Sequence, residues 1–160
     1  MAIKVGDKIP TAKLQMKTSE GVQTKTTDEL FKGKKVVLFA LPGAFTPTCS
    51  AKHLPGFVNN TAALKARGVD TVACLSVNDA FVMDAWGKDQ DVGDKVLMLA
   101  DGNGEFTQAV GLAMDATGYG MGLRSQRYAM VIDNGVVKTL NVEAPGAFEV
   151  SSAEAVLKAL

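Results

Sequence analysis

The sequence predicts a mixed α/β fold in which helices flank a central β-sheet, and two patterns support this prediction. An apolar run at 36–41 precedes a helical pattern that extends toward Arg67, and a second apolar run follows at Val69–Val77. A strand–helix–strand unit of this length places its two strands parallel, with a right-handed crossover. Farther along, Asp133-Asn134-Gly135 separates two β-rich runs, and Asn-Gly is a strong signal for a tight hairpin.

The N-terminal segment predicts a β-hairpin that extends the sheet. Leu14 and Met16 alternate with more polar residues, as expected for a strand with one buried face. Ser19-Glu20-Gly21 offers a turn before a second, polar strand at Val22–Lys25.

Capping signals bound the next two helices. Thr26 and Glu29 have the spacing of a capping box, which predicts a short helix that ends at Gly33. The central helix is expected to start at or just before Cys49. Gly68 suits its end, because glycine readily takes the left-handed conformation at the position after a helix.

The second half of the chain continues the alternation of strands and helices. The predicted elements are a helix at Ala80–Asp89, a strand at Val96–Ala100, a helix at Glu105–Val110, strands at Tyr128–Ile132 and Val136–Val142, and a helix at Ala153–Leu160. A capping box of Ser151 with Glu154 is expected to start the last helix. This order matches a thioredoxin-like architecture with an N-terminal β-hairpin extension, in one domain spanning residues 1–160.

Composition excludes several classes of function. The 160 residues carry 17 basic and 17 acidic side chains, so the net charge gives no electrostatic reason to expect nucleic acid or an anionic membrane as a partner. No apolar run approaches the ~20 residues of a membrane span, and the N-terminus lacks the apolar core of a signal peptide. Two cysteines do not make a disulfide framework, so we expect a reducing, cytoplasmic location.

Cys49 is the residue most indicative of chemistry. It follows the buried strand at 36–41 and lies in the first turn of the predicted helix. Unpaired backbone N–H groups and the positive end of the helix dipole meet at such a position and favour the reactive thiolate over the thiol.

The neighbours of Cys49 limit that chemistry. There is no Cys-x-x-Cys, which argues against a dithiol oxidoreductase. His53, the only histidine, lies one turn farther along the helix and is not expected to face the sulfur as a Cys–His protease requires, so we interpret it as structural or as tuning the loop. Thr46 can donate to a thiolate and accept from a substrate hydroxyl. One histidine and two separated cysteines do not make a metal site.

A peroxide suits a thiolate without a strong base nearby. Attack on one oxygen releases the other as an anion, and the developing charge must be stabilised. A guanidinium is the natural partner because it stays protonated. Arg124 and Arg127 precede the strand at 128–132 and would lie beside the Cys49 loop if that strand adjoins 36–41.

The motif Pro42-x-x-x-Thr46-x-x-Cys49 resembles the peroxiredoxin signature. The wider run Pro-Gly-Ala-Phe-Thr-Pro-Thr-Cys-Ser, followed by His-Leu-Pro-Gly-Phe at 53–57, is similar to the type II subfamily, also called the five-type or atypical group. The segment 118–128 and the spacing between Cys49 and Cys74 resemble the same subfamily. The resemblance covers nearly the whole chain and implies a thioredoxin fold and a cysteine-dependent peroxidase.

The resemblance also implies a role for each site residue. Cys49 would be oxidised to a sulfenic acid, and Thr46 would bond both thiolate and peroxide. Pro42 would shield the sulfur from bulk water. Arg127 would hold the thiolate and polarise the peroxide, with Arg124 the less favoured candidate.

The loop before Cys49 is expected to bind the peroxide. Backbone N–H groups of residues 43–49, including Gly43 and Thr48, would complete the peroxide site, and Phe45 would contact the substrate. Phe45, Leu112 and Met114 are candidates for an apolar wall that receives an organic hydroperoxide, or for an interface. The subfamily typically dimerises through the face that bears these loops, so a homodimer is expected.

Cys74 lies in an apolar strand, where a free cysteine is commonly a packing residue. The resemblance leaves two routes open for recycling the sulfenic acid. Either Cys74 reaches Cys49 after local unfolding, or an external thiol from glutaredoxin with glutathione, or from thioredoxin, resolves it. We favour the external thiol.

The expected activity is therefore reduction of hydrogen peroxide and small organic hydroperoxides, with no metal, haem or flavin cofactor. The alternative is a slow-turnover peroxide sensor or redox-signalling protein, which would stop after about one equivalent of peroxide, whereas an enzyme turns over repeatedly with a thiol reductant.

Overall fold

A seven-stranded mixed β-sheet forms the centre of the protein, and the computed structural model describes every residue from Met1 to Leu160. The strands of the chain are β1 (Lys13–Thr18), β2 (Gly21–Thr26), β3 (Lys35–Ala40), β4 (Thr71–Ser76), β5 (Leu97–Ala100), β6 (Ala113–Asp115), β7 (Leu123–Ser125), β8 (Tyr128–Asp133) and β9 (Val136–Val142). The α-helices are α1 (Thr27–Phe31), α2 (Leu54–Ala66), α3 (Ala80–Asp89), α4 (Glu105–Ala109) and α5 (Ala153–Ala159).

The strand order in the main sheet is β2-β1-β5-β4-β3-β8-β9. The predicted parallel crossover is confirmed, since β3 pairs in parallel with β4, and β4 with β5. Strand β8 runs antiparallel to β3 on its other side. The central strands β3, β4 and β8 are buried along nearly their whole length, as expected for strands covered on both faces.

The predicted N-terminal hairpin is also confirmed. Strands β1 and β2 pair antiparallel, with Thr18 opposite Gly21 at the turn. The hairpin joins the main sheet through the pairing of Gln15 with Ala100 on β5. Leu14 is fully buried and anchors the hairpin to the core.

Three of the predicted local signals hold in the structure. Thr26 and Glu29 form the reciprocal bonds of a capping box at the start of α1. Gly68 follows α2 with φ of 89°, a left-handed conformation that glycine adopts without strain. Asn134 and Gly135, with φ of 48° and 78°, form the tight turn between β8 and β9.

The cap of α5 differs from the prediction. Ser152, not Ser151, is the N-cap, and its side chain accepts a hydrogen bond from the N–H of Ala155. The Ser151 hydroxyl instead donates to the Glu143 carboxylate at 2.6 Å. A charged acceptor binds a hydroxyl more strongly than a helix N–H does, so the long-range contact takes this side chain.

The first turn after Cys49 also differs from the predicted α-helix. Residues Cys49–His53 form a π-helical turn, in which the N–H of Leu54 donates to the carbonyl of Cys49. Pro55 gives the reason, because it has no N–H for the carbonyl four residues earlier and its ring crowds that carbonyl. Widening the turn relieves both problems, and regular α-helix resumes in α2.

Two segments near Arg124 form structure that the sequence did not predict. Strands β6 and β7 pair antiparallel as a small separate sheet, with Met114 opposite Arg124. A short 3₁₀ turn at Thr117–Tyr119 connects them.

None of the helices has the length and apolar character needed to cross a bilayer.

Candidate active site

Cys49 lies at the carboxyl end of β3, eight loop residues after the strand ends, and its side chain is fully buried. It is the first residue of the π-helical turn. The N–H groups of Thr48 and Cys49 donate to no other protein atom. These groups are free to donate to an oxygen atom bound beside the sulfur.

Arg127 is the cation nearest to the Cys49 thiol. Its Nη2 atom lies 3.1 Å from Cys49 Sγ and donates a hydrogen bond to the sulfur. The sheet brings these two residues together, because Tyr128 pairs with Ala40 at the end where β3 leads into the Cys49 loop. A fixed positive charge at this distance stabilises the anion that a peroxide releases.

His53 connects to Cys49 through Arg127 rather than by direct contact. Nε2 of His53 lies 2.9 Å from the Ser151 carbonyl oxygen, which can only accept, so Nε2 carries the proton. Nδ1 therefore has a free lone pair, and it accepts from Arg127 Nη1 at 2.9 Å. Burial and the neighbouring guanidinium lower the pKa of His53 to about 3. The imidazole is neutral at physiological pH, in keeping with a structural role rather than proton transfer.

The loop before Cys49 is held by bonds within itself and to the segment that follows β4. Phe45 has φ of 63°, unusual for a residue other than glycine. The Thr46 hydroxyl donates to the Gly43 carbonyl at 2.7 Å, so its proton is not directed at the sulfur as the motif predicts. Its oxygen still has lone pairs with which to accept from a peroxide hydroxyl. The N–H of Ala44 donates to Asn78 Oδ1 at 3.0 Å.

Arg124 holds this loop but does not contact the sulfur. Its Nη1 atom lies 3.4 Å from the Pro42 carbonyl oxygen, and its Nε donates to the Met121 carbonyl at 3.0 Å. A β-carbon added at Gly43 would lie 3.0 Å from Nη1 of Arg124. Glycine at position 43 therefore lets the guanidinium pack directly on the loop backbone.

The predicted substrate-contacting residues are only partly brought together. Phe45 and Thr48 are exposed residues of the loop itself, and the Phe45 ring lies 6.4 Å from that of Trp86. Met114 is half-buried on β6, opposite Arg124. Leu112 packs into the apolar cluster on the opposite face of the sheet from Cys49. The expectation that Leu112 lines a wall around Cys49 is therefore wrong.

Cys74 is fully buried in β4, where it pairs with Phe39 of β3. It belongs to the same apolar cluster as Cys49, and both cysteines are free thiols. Burial, and secondarily the proximity of Cys49, raise the pKa of Cys74 well above its ordinary value. In this folded state Cys74 is a neutral packing residue of the central sheet.

Sequence reasoning missed three supports of the site. Asn78 follows β4 at the sheet edge where the Cys49 loop also lies, and that shared edge was a usable signal. Ser50 accepts a hydrogen bond from Trp86 Nε1 at 3.0 Å. Glu143 binds the loop that carries Ser151, and no local pattern indicates this contact.

Comparison with known families gives a match that spans nearly the whole chain. Residues 4–157 match the profile of the Redoxin family. Among curated proteins, chloroplastic peroxiredoxin-2E of Arabidopsis thaliana is 55% identical over 163 residues, which cover 99% of this chain and 70% of that protein.

Solved structures give close matches as well. Reduced Prx3 of Vibrio vulnificus in complex with hydrogen peroxide is 60% identical, with a TM-score of 0.95 over 98% of each chain. A protein described as a putative thioredoxin reductase from Burkholderia cenocepacia is 53% identical, with a TM-score of 0.98 over 100% of this chain and 99% of that one. The thioredoxin-like fold expected from the sequence is thereby confirmed.

Proposed function

Because this chain belongs to the Redoxin family and is a thiol-dependent peroxidase of the peroxiredoxin type, we propose that it reduces hydrogen peroxide and small organic hydroperoxides through a sulfenic acid on Cys49. The observation that carries this proposal is the 3.1 Å contact between Arg127 Nη2 and Cys49 Sγ. The V. vulnificus relative, solved with hydrogen peroxide, supports the substrate class.

The reaction balances without a metal or an organic cofactor. The Cys49 thiolate attacks the terminal hydroperoxide oxygen, an S–O bond forms, and the O–O bond breaks. Cys49 becomes a sulfenic acid, while the other oxygen leaves as hydroxide or alkoxide and takes up a proton from solvent to give water or alcohol. The Arg127 guanidinium and the free N–H groups of Thr48 and Cys49 stabilise the charge on the leaving oxygen.

The burial of Cys49 supports a preference for small peroxides. The Cys49 side chain has no exposed surface. Exposed Phe45 offers apolar contact at the rim for the alkyl group of an organic hydroperoxide. We therefore expect hydrogen peroxide and short alkyl hydroperoxides to react faster than bulky ones.

We further propose that an external thiol, from glutaredoxin with glutathione or from thioredoxin, recycles the sulfenic acid. The burial of Cys74 in the paired strand β4 and its raised pKa argue against its attack on Cys49. We also propose a cytoplasmic location, because a thiol reductant and free cysteines are both typical of a reducing compartment. The dithiol chemistry of a reductase is not carried over from the B. cenocepacia protein, because this chain has no Cys-x-x-Cys.

A homodimer formed by the face that bears the active-site loops is also proposed. Three large apolar side chains near that face are exposed, namely those of Phe45, Tyr119 and Leu123. Analytical ultracentrifugation tests this proposal, and a monomer at micromolar concentration would contradict it.

Steady-state turnover tests the function directly. We expect repeated consumption of hydrogen peroxide with glutathione and glutaredoxin, or with thioredoxin, and complete loss of turnover in Cys49→Ser. The matched control is Cys74→Ala, which should keep turnover. A wild-type protein that stops after about one equivalent of peroxide with every reductant would instead be a sensor.

A further inference from the structure

The Glu143 carboxylate is a buried anion held almost entirely by one loop. Glu143 follows β9 and is only 7% exposed. Its Oε2 atom accepts hydrogen bonds from three consecutive N–H groups, those of Glu149, Val150 and Ser151, at 2.8–2.9 Å. The Ser151 hydroxyl donates a fourth, at 2.6 Å. Burial raises the pKa of Glu143, but these bonds outweigh it and hold the pKa below its ordinary value.

These four bonds fix the loop at 144–151, which we call the clasp loop, beside the start of β8. The backbone N–H of Glu143 also donates to the Arg127 carbonyl at 2.9 Å, so the backbone of Glu143 is anchored beside that of Arg127. The Phe148 ring, carried by the clasp loop, lies 5.9 Å from the Arg127 guanidinium carbon and 5.0 Å from the His53 ring. The Ser151 carbonyl accepts from His53 Nε2.

We propose that Glu143 and His53 are positioning residues for peroxide reduction, forming one hydrogen-bonded chain that holds the Arg127 guanidinium against Cys49. The clasp loop presents the Ser151 carbonyl, and this carbonyl requires the proton of His53 to be on Nε2. Nδ1 is then a fixed acceptor for Arg127 Nη1, and Nη2 of the same planar guanidinium points at the sulfur. This inference rests on the proposed reaction of Cys49 with peroxide.

The charge of the side chain at position 53 explains why a histidine, in this hydrogen-bonded chain, holds the Arg127 guanidinium. A carboxylate in the place of His53 would orient the guanidinium but would also cancel much of its charge. A neutral imidazole orients it and leaves the positive charge available to the sulfur and the leaving oxygen. The negative charge of Glu143 lies farther away and is met by backbone N–H groups of the clasp loop.

Two variants of His53 test the link to Arg127. His53→Phe keeps a buried ring but removes the acceptor, whereas His53→Gln restores a carbonyl oxygen that can accept from Arg127. The readouts are the second-order rate constant for hydrogen peroxide, followed by the fluorescence of Trp86, and the rate of Cys49 alkylation by iodoacetamide from pH 5 to 9. We expect His53→Phe to lower both rates at pH 7 by about tenfold and His53→Gln to recover part of each loss.

Two further substitutions test the link from Glu143. Glu143→Gln weakens the clasp, and Glu154→Gln, an exposed glutamate at the start of α5, is the charge-matched control. We expect Glu143→Gln to lower both rates by about threefold or more and to add little when combined with His53→Phe, because residues acting through one chain are not additive. The control should change neither rate.

Two outcomes decide against the proposal. In the first, the losses of rate in Glu143→Gln and His53→Phe are fully additive in the double variant. In the second, both rates are unchanged in His53→Phe. Either result would mean that the hydrogen-bonded chain only stabilises the fold. If Glu143→Gln does not fold, as judged by circular dichroism, the His53 pair alone decides. Failure of wild-type Cys49 to react with peroxide would refute the proposed function, while alkylation would still test the positioning of Arg127.

Discussion

Ala40 and Tyr128 are paired across the antiparallel strands β3 and β8, and this pairing places the start of the Cys49 loop beside Arg127. The loop to Cys49 leaves the sheet after Ala40, and Arg127 enters it immediately before Tyr128. The two strand ends lie side by side, so a guanidinium and a thiol 78 residues apart in sequence come within 3.1 Å. The sheet register, rather than any local motif, selects Arg127 over Arg124.

Substitution of the two arginines tests this selection. Arg127→Ala removes the cation beside the sulfur and the leaving oxygen, so we expect the peroxidase rate constant to fall about 100-fold or more. Arg124→Ala loosens only the Pro42 loop and should cost less. Stopped-flow reaction with hydrogen peroxide measures both, and a larger loss in Arg124→Ala would refute the assignment.

The buried His53 predicts how stability depends on pH. Its pKa is about 3 in the folded protein and near 6.5 when exposed, so between these values only the unfolded chain binds the proton. Stability should therefore fall as the pH drops from about 6.5 toward 3, with a slope of about 1.4 kcal/mol per pH unit from this group.

Urea unfolding at pH 5 and pH 7 measures this dependence in wild type and His53→Phe. The wild type should lose more stability than the variant between the two pH values, whatever the absolute stability of the variant. Equal losses in the two proteins would show that His53 is not the group responsible.

Oxidation of the reduced protein by one equivalent of hydrogen peroxide distinguishes the two recycling routes. Because Cys74 is held in β4 as a neutral thiol, we expect wild type and Cys74→Ala alike to gain one oxygen on Cys49. Intact mass, with a sulfenic-acid trapping reagent, measures this gain. A loss of two hydrogens in wild type alone would mean that Cys74 forms an intramolecular disulfide and resolves the sulfenic acid.

Two glycines provide a matched test of packing at the active-site loop. A β-carbon at Gly43 would lie 3.0 Å from Arg124 Nη1 and 3.2 Å from Thr46 Cγ2, whereas one at Gly56 in α2 meets nothing within 4 Å. Gly43→Ala should displace the loop and slow peroxide reduction. Gly56→Ala should raise the free energy of unfolding by about 0.5–1 kcal/mol, because alanine is the better helix residue.

Stopped-flow kinetics and thermal unfolding of both glycine variants check these expectations. Combining Gly43→Ala with Arg124→Ala should restore part of the rate lost in Gly43→Ala, since the crowded guanidinium is then absent. A rate in Gly43→Ala equal to that of wild type would show that the loop tolerates the added methyl group.

Much of the fold and the reactive thiol could be predicted from local sequence patterns. The run at 36–41, the capping box at Thr26 and the Asn134-Gly135 turn each depend on a few adjacent residues, and each appears in the structure. The position of Cys49 after a strand and at the start of a helical segment depends on the same short-range rules. Backbone sterics and hydrophobic periodicity act over a few residues, so such features are legible in sequence.

The tertiary structure alone decided how that thiol is surrounded. The Ser151 hydroxyl turns from its expected cap to Glu143, the Thr46 proton goes to Gly43, and Arg127 reaches the sulfur with His53 behind it. In each of these bonds a side chain has one partner where several donors or acceptors compete for it, and several of the partners come from distant parts of the chain. Hydrogen bonds require partners within about 3 Å, and only the packed sheet and its loops determine which groups come that close.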